Sequence, residues 1–494
     1  MLLHLRGKLE ESMRKLLIYL FPLLFITACM DEDFSSDASL RLLFSEQEVA
    51  FDTLITSVSS RTRTLMVFNA NSKGIRIPLV ALEKGSASPF RINVDGQFLS
   101  EGRGTDFEVP GGDSIFVRIE VCGNITLGKE IEEVCDQLIF TLESGQRQTV
   151  PLKAGLLDAE LIRGLIVSSD TTFSGTRPRV FYEELVVDSN ATLTLEPGTI
   201  LMFHSGKGLT VNGTLNVDGT VESPVVMRSD LTEHMFKNLY YDNTPSRWNG
   251  LVLQNTNVTH RIHNLDLHAS TVGIVCQSDS LGEELALDLE GSIIHNIGGA
   301  GLFLQNCRSN VRNTQISNTG GDVVFIQGGS HDFLHCTLAQ FYPFSADRGQ
   351  ALFLEGCAWQ GDEENPFYLP HVHFRNCVIT GYAEDVLMGN LKQTDESPID
   401  YLFHHCLLAT PAVEDEMHYV GVIYDNDQQP TPRAKNFLRM DTELYLYDFS
   451  PVEQSPIRHL ADSLCALPYD RLGHPRLNVG GPDAGCYQYF KEMK

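Results

Sequence analysis

His371-Val-His373 sets two imidazoles on one side of an extended segment, and Asp400 precedes a similar segment further along. Such a trio suits a metal ion or acid/base chemistry, and it suits equally a stacked polar pair on the solvent side of a strand. Three acidic runs, Asp362-Glu-Glu364, Glu414-Asp-Glu416 and Asp425-Asn-Asp427, carry the oxygen donors that Ca2+ takes, although runs of this kind are more often solvated loops. Aromatic residues gather elsewhere, at Tyr240-Tyr241, Phe341-Tyr-Pro-Phe344, Trp359 and Phe367-Tyr368. Rings beside carboxylates suit stacking on neutral sugars or anchoring a protein partner. Tyr240, Tyr241, Trp359, Phe367 and Tyr368 are therefore the candidate binding residues, and His371, His373 and Asp400 the candidate polar cluster.

The elements that must hold these side chains announce themselves by repetition. A six-residue phrase appears as Phe333-Leu-His-Cys-Thr-Leu338, Phe374-Arg-Asn-Cys-Val-Ile379 and Phe403-His-His-Cys-Leu-Leu408. Looser copies start at Ile262, Leu289, Val311 and Leu354, so successive starts lie 20–29 residues apart. A repeat of that size marks a solenoid whose units bury their apolar side only by stacking. The third position reads Asn264, Gly291, Asn313, His335, Gly356, Asn376 and His405, types that tolerate positive φ, which predicts one sharp left-handed bend per coil. Helical periodicity is lacking. An earlier pair, Thr192-Leu-Thr-Leu-Glu-Pro-Gly-Thr-Ile200 and Thr214-Leu-Asn-Val-Asp-Gly-Thr-Val221, alternates apolar and polar residues as half-buried strands do.

From about Asp170 onward the chain resembles right-handed parallel β-helix repeat proteins of the pectin-lyase-like fold. The resemblance rests on these coils, on Trp248-Asn-Gly-Leu251 after the first of them, and on a closing Gly481-Pro-Asp-Ala-Gly-Cys-Tyr487. There Cys486 stands where such proteins usually carry Ala. The fold implies little about activity, because β-helices serve as lyases, hydrolases, adhesins and scaffolds. Polygalacturonase-like members resemble one another in an Asn-x-Asp, an Asp-Asp and a Gly-His-Gly; this chain has neither of the last two.

Met13-Arg-Lys15 followed by the apolar stretch Leu16 to Ile26 reads as a secretion signal too short to span a bilayer. Translation from Met13 rather than Met1 fits this signal. Ile26-Thr-Ala-Cys29 resembles a lipobox, which implies lipidation (palmitate included) at Cys29. The acidic residues Asp31, Glu32 and Asp33 resemble an export signal for the outer face of the outer membrane. Lys and Arg total 37 against 64 Asp and Glu, a net charge of −27 that repels nucleic acid.

Between tether and solenoid, short segments such as Thr64-Leu-Met-Val-Phe68, Phe90-Arg-Ile-Asn-Val94 and Ser114-Ile-Phe-Val-Arg-Ile-Glu-Val121 have the spacing of a β-sandwich. Ser88-Pro-Phe-Arg-Ile92 and Pro110-Gly-Gly-Asp-Ser114 resemble immunoglobulin-like modules of bacterial surface proteins. The expected fold class is all-β: a signal peptide at 1–28, a lipidated tether at 29–39, an immunoglobulin-like sandwich at 40–155, a right-handed parallel β-helix at 160–450 and a cap at 451–494. Of the eleven cysteines, Cys336, Cys357, Cys377 and Cys406 share one column with Leu265, Ser292 and Thr314. That column suits inward packing by free thiols better than a metal cage. Cys122 with Cys135, and Cys465 with Cys486, are the pairs that can bridge outside the cell, with the reduced state equally open.

These features describe a surface-exposed outer-membrane lipoprotein whose solenoid presents a non-catalytic face to surface glycans or outer-membrane proteins. The alternative is a polysaccharide lyase or glycoside hydrolase with a diverged site in the loops at 230–247 and 359–371. No cofactor is expected; Ca2+ bridging of like charges is the one alternative considered. Cys29→Ser should release the protein from the membrane or block its processing, read by fractionation. Replacing Asp31, Glu32 and Asp33 together with Ala should leave lipidation intact but cut access by protease added to whole cells. A mature, membrane-bound Cys29→Ser form would refute the lipid anchor.

Overall fold

The computed structural model describes residues 33–56, 58, 60–122, 131–236, 239–425, 433–477 and 480–490. Cys29, Asp31 and Glu32 lie outside them. The chain divides into two compact units, one formed by most residues up to Leu156 and one running on from Leu157. Among the described residues no helix is long and apolar enough to cross a membrane.

The first unit is an antiparallel sandwich of two five-stranded sheets. One sheet pairs Leu43–Phe44, Arg63–Phe68, Ser114–Val121, Phe90–Val94 and Gln97–Phe98, in that order. The other pairs Val49–Ile55, Arg147–Leu157, Ile131–Thr141, Ile75–Leu82 and Arg103–Val109. Strict alternation buries Ile115, Val117, Ile119 and Val121 on one face of their strand, as the two-residue period requires. Phe44 meets Phe140 across the sheets, ring centroids 5.2 Å apart.

The second unit is a parallel β-helix. Three all-parallel sheets of 11, 9 and 10 strands run its length, and each full coil lends one strand to each sheet, here faces I, II and III. Face I includes Val225–Ser229, Leu265–His268, Ile293–Ile297, Gln315–Thr319, Thr337–Gln340 and Val378–Gly381. Face II includes Ile274–Gln277, Val324–Gln327, Leu352–Cys357 and Leu387–Lys392. Face III includes His260–His263, Leu287–Glu290, Arg308–Arg312, Ser330–Leu334, His371–Arg375 and Asp400–His404. Inward side chains close into one apolar column, with Phe333, Phe374, Phe403 and Tyr419 stacked at 4.7, 5.1 and 5.1 Å. Truncating a buried phenyl such as Phe374 to Ala would cost roughly 3–5 kcal/mol.

The bend between faces III and I is left-handed at Asn264 (φ 49°), Gly291 (63°), Asn313 (46°), His335 (52°), Asn376 (54°) and His405 (52°). Two register expectations need correction. The copy beginning at Leu354 is not a bend: Leu354 pairs with Ile326 on face II, and Gly356 lies within that strand opposite Leu391. Phe333 pairs directly with Phe374, so this coil holds two insertions, 341–351 and 358–370. Strands of all three faces alternate alike, and a Gly-Cys at a strand end imitates the phrase without turning the chain. Ile200 likewise pairs with Val226, not Val221, which is exposed; Leu193 and Leu215 are partners as expected.

Cys357 accordingly leaves the thiol column; its Sγ lies near the carbonyls of Trp359 and Asn365. In the remaining column the amide of Leu265 donates to Ser292 Oγ (3.1 Å), that of Ser292 to Thr314 Oγ1 (3.4 Å), and those of Cys336 and Cys377 to the sulfurs of Cys377 and Cys406 (both 3.4 Å). All ten described cysteines are free thiols, and burial raises the Cys336 and Cys377 thiols well above their ordinary range. Cys336, Cys377 and Cys406 should therefore resist alkylation until the protein unfolds, while exposed Cys135 reacts at once. Native labelling at any of the three, read by peptide mass spectrometry, would contradict this register.

Candidate functional site

Face III carries the densest charge chemistry, because in-register stacking sets the outward side chains of successive coils side by side. His371 pairs in register with Asp400, and Asp332 with His373. The trio expected from sequence does meet: His371 Nδ1 lies 2.7 Å from Asp400 Oδ2 and His373 Nε2 lies 2.9 Å from Asp400 Oδ1. Two further groups join it. Asp332 Oδ2 is 3.3 Å from His371 Nε2, and Arg375 reaches both Asp332 (3.1 Å) and His373 Nδ1 (3.0 Å).

The hydrogen bonds assign the protons. His371 faces a carboxylate with each ring nitrogen, so both carry hydrogen; the bond to Asp332, then that to Asp400, raise its pKa against the cost of burial. His373 accepts from Arg375 at Nδ1, which leaves its proton on Nε2. Burial first, then the neighbouring His371 and Arg375 charges, hold its pKa down. Asp332 is kept below the ordinary carboxylate range by His371, and Asp400 by both imidazoles in spite of burial. The same pairing continues along the face, where Arg312 bridges Asp288 (2.9 Å) and Glu290 (2.6 Å), and His263 approaches Asp288 at 3.5 Å.

The aromatic candidates do not form one patch. Tyr240 and Tyr241 stand on the segment between faces I and II, whereas Trp359, Phe367 and Tyr368 stand between faces II and III. Along the axis the two insertions are separated by four coil steps, Val225–Ser229 to Thr337–Gln340, about 19 Å at strand spacing. Tyr240 is 45% and Trp359 37% exposed. Tyr240 lies against His234 at 3.8 Å and Tyr241 beneath Arg247 at 5.3 Å. Phe367 and Tyr368 are half-buried, with their carbonyls accepting the amides of Cys357 and Gly329. Phe341 is core: it is 1% exposed and packs on Phe437 and Phe449 of the antiparallel strands Phe437–Asp441 and Leu446–Pro451.

The acidic runs are engaged internally. Lys392 reaches Glu364 (2.9 Å) and Asp362 (3.7 Å), Asp415 accepts from His418 (2.7 Å), and Asp425 accepts from Asn436 (3.2 Å). Asp427 lies outside the described residues. Asp33, the one described residue of the acidic trio Asp31, Glu32 and Asp33, pairs with Lys73 at 3.0 Å.

Two features escape a sequence reading. One is a groove of about 390 Å3 between the bends Asn264, Gly291 and Asn313 and the cap residues Tyr469, Asp470 and Arg471. His263 and Glu290 line it, and Tyr469 is 57% exposed at its edge. The other is a set on face I, Arg228, Asp266, His268 and His295, joined by Asp242 from the segment 230–250. Asp266 and His268 are legible as neighbours two residues apart, but only coil register adds His295, and only the insertion adds Asp242.

An antiparallel sandwich followed by a parallel β-helix with charge-paired outer faces defines the class of this protein. No family model matches the chain, and no curated protein does. Solved structures that match locally include a PapD-like domain of human CEP192 (10% identity, 27% of this chain, 97% of that one, TM-score 0.18). Others are a protein of unknown function from Porphyromonas gingivalis W83 (13%, 27% and 58%, TM-score 0.18) and the E. coli chaperone DraB (16%, 24% and 54%, TM-score 0.16). The chain spans little more than half the length of the last two. Similarities this slight carry no functional argument.

The proton assignment has a measurable sign. His371 should titrate above its ordinary 6.5 and His373 below it. The ion pairs of His371 then contribute stability that is full below pH 6.5 and lost as pH rises through the elevated pKa. His373 acts oppositely: its contribution is full above 6.5 and falls away as pH drops towards the lowered pKa. Imidazole resonances followed by NMR give both midpoints; a reversed order would refute the assignment.

Proposed function

We propose that the protein is a lipid-anchored lipoprotein on the outer surface of the outer membrane, whose right-handed β-helix presents a non-catalytic binding or scaffolding face to surface glycans or outer-membrane proteins. The antiparallel unit serves as an immunoglobulin-like spacer above the anchor. The lipobox at Cys29 and the acidic residues after it support the location, and the net charge of −27 favours neutral glycans or proteins over polyanions.

The observation that carries the binding reading is the pairing of charge on face III. Arg312 lies against Asp288 and Glu290, Arg375 and His371 against Asp332, and both imidazoles against Asp400. Carboxylates that cut an acidic polysaccharide with Ca2+ must be free to hold the ion and leave a base unpaired. These carboxylates are held by their neighbours instead. A surface of largely paired charge with the exposed Trp359 ring at its edge suits recognition.

The opposed proton affinities of His371 and His373 on one shared carboxylate favour the second reading, a lyase or hydrolase, because such a split suits an acid beside a base. An oligosaccharide array with the purified chain separates the two. Neutral glycans should be retained, with Trp359→Ala and Tyr240→Ala each lowering affinity by about tenfold and leaving the melting temperature nearly unchanged. Phe367 and Tyr368 are unsuitable for this test, since their half-buried rings also pack. If the protein shortens a polysaccharide, and His371→Ala abolishes that activity, the binding reading fails.

A further inference from the structure

Among the described residues, three groups of donor atoms stand close enough to share one cation: Asp266/His268/His295, Asp332/His371/His373 and His404/His405/Asp462. Two of them are unsuited to it. Arg375 already places a guanidinium against Asp332 and His373. In the third group His404 and Asp462 are 3.8 Å apart, and His405 spends Nδ1 on the carbonyl of Leu460 at 2.8 Å.

The first group differs in kind. Asp266 and His268 project from one strand of face I, and His295 is the register partner of His268 on the next coil. Asp266 Oδ1 lies 2.7 Å from His268 Nδ1 and 3.4 Å from His295 Nε2. A tetrahedral Zn2+ at about 2.0–2.1 Å from each donor holds neighbouring donors roughly 3.3 Å apart. Of the three edges, that between Asp266 and His295 already has this length, that between Asp266 and His268 would have to lengthen, and the two imidazole donors lie within 4.8 Å of each other.

The far side of His268 supplies an independent observation. Its Nε2 lies 2.9 Å from Asp242 Oδ2, and Arg228 holds the same carboxylate at 3.0 Å. A neutral imidazole has one N–H and cannot satisfy carboxylates at both nitrogens. With the proton on Nε2 fixed by Asp242, a second positive centre is required between Nδ1 and Asp266. A proton can fill that place at the cost of an imidazolium. A metal ion can take it instead, and a histidine oriented by a carboxylate is the usual metal-ligand arrangement. Asp242 Oδ1 is buried without a hydrogen-bond partner. The His295 and Asp266 side chains are 24% and 31% exposed, giving an ion a route from solvent.

We propose that Asp266, His268 and His295 bind one first-row divalent cation of the Zn2+ type, with Asp242 orienting His268. Mixed imidazole and carboxylate donors select such a metal over Ca2+ or Mg2+, which take oxygen. Arg228 and Arg471 are the cations that act on the cluster, each through one of its carboxylates. Three protein donors leave a fourth position for water or a ligand oxygen. The ion ties two adjacent coils together and, through Asp242, fastens the inserted segment 230–250 to face I.

Untagged protein stripped with chelator and titrated with ZnCl2 in a calorimeter tests this. One Zn2+ should bind per chain, releasing a proton detectable by comparing two buffers of different ionisation enthalpy. His295→Ala, whose side chain is partly exposed and does not hold the fold, should weaken binding by at least about 100-fold, and Asp242→Asn by about 10–100-fold. His404→Ala should bind as the parent does. Circular dichroism establishes that each variant is folded. Absence of binding, binding that survives His295→Ala, or binding lost in His404→Ala would overturn the proposal.

Discussion

Six successive coils of the solenoid, from Asn264 to His405, turn left-handed at the same place, and the remaining structure depends on that constraint. A non-glycine residue in this conformation costs roughly 1–2 kcal/mol, yet five of the six bends at Asn264, Gly291, Asn313, His335, Asn376 and His405 accept it. Stacking in register repays them. A slip of one residue would send each inward side chain outward, breaking the ring column and the outer ladders together. The bends also use their polar side chains. Asn376 exchanges hydrogen bonds with Asp462 at 2.8 and 3.1 Å, and Asn313 receives fully buried Arg476 at 2.8 Å. Arg476 in turn donates to the carbonyls of Asp483 and Gly485. The residue types that permit the bend thus also fasten the C-terminal cap.

Interior and exterior contribute unequally. Buried rings such as Phe374 are worth several kcal/mol each, whereas solvent-facing ion pairs are worth about 0–1 kcal/mol. The long series from Asp288 through Arg312 to Asp332, Arg375 and Asp400 therefore adds little to stability. Its consequence is electrostatic: each of these carboxylates lies beside a guanidinium or an imidazole. The cluster around His268 belongs to another regime. Its imidazole is largely buried between two carboxylates, where removing one partner would strand a charge at far greater cost.

Binding by such a molecule would draw on insertions, since the regular coils are uniform. The segments 230–250 and 358–370 leave the solenoid at different corners and at different heights. Any one partner spanning both would have to wrap the helix. The groove beside Tyr469 lies against the bend column, apart from both.

Architecture was legible in the sequence because its cause is local. Bend-tolerant residues at coil spacing, alternation along each strand, and the strands of the sandwich are all properties of a few consecutive residues. His371, His373 and Asp400 could be placed together for the same reason, sharing an offset from one phrase. The strand Arg103–Val109 was missed because its polar alternation is weak, and Leu354 was misplaced because strands of different faces look alike within six residues. Trp359 could be read as exposed, but the burial of Phe341 could not, since strands about a hundred residues later cover it. Arg375 between Asp332 and His373, and Asp242 against His268, likewise required the fold. Register and coverage are set by which distant strands and insertions stack, and short-range patterns carry no record of that choice.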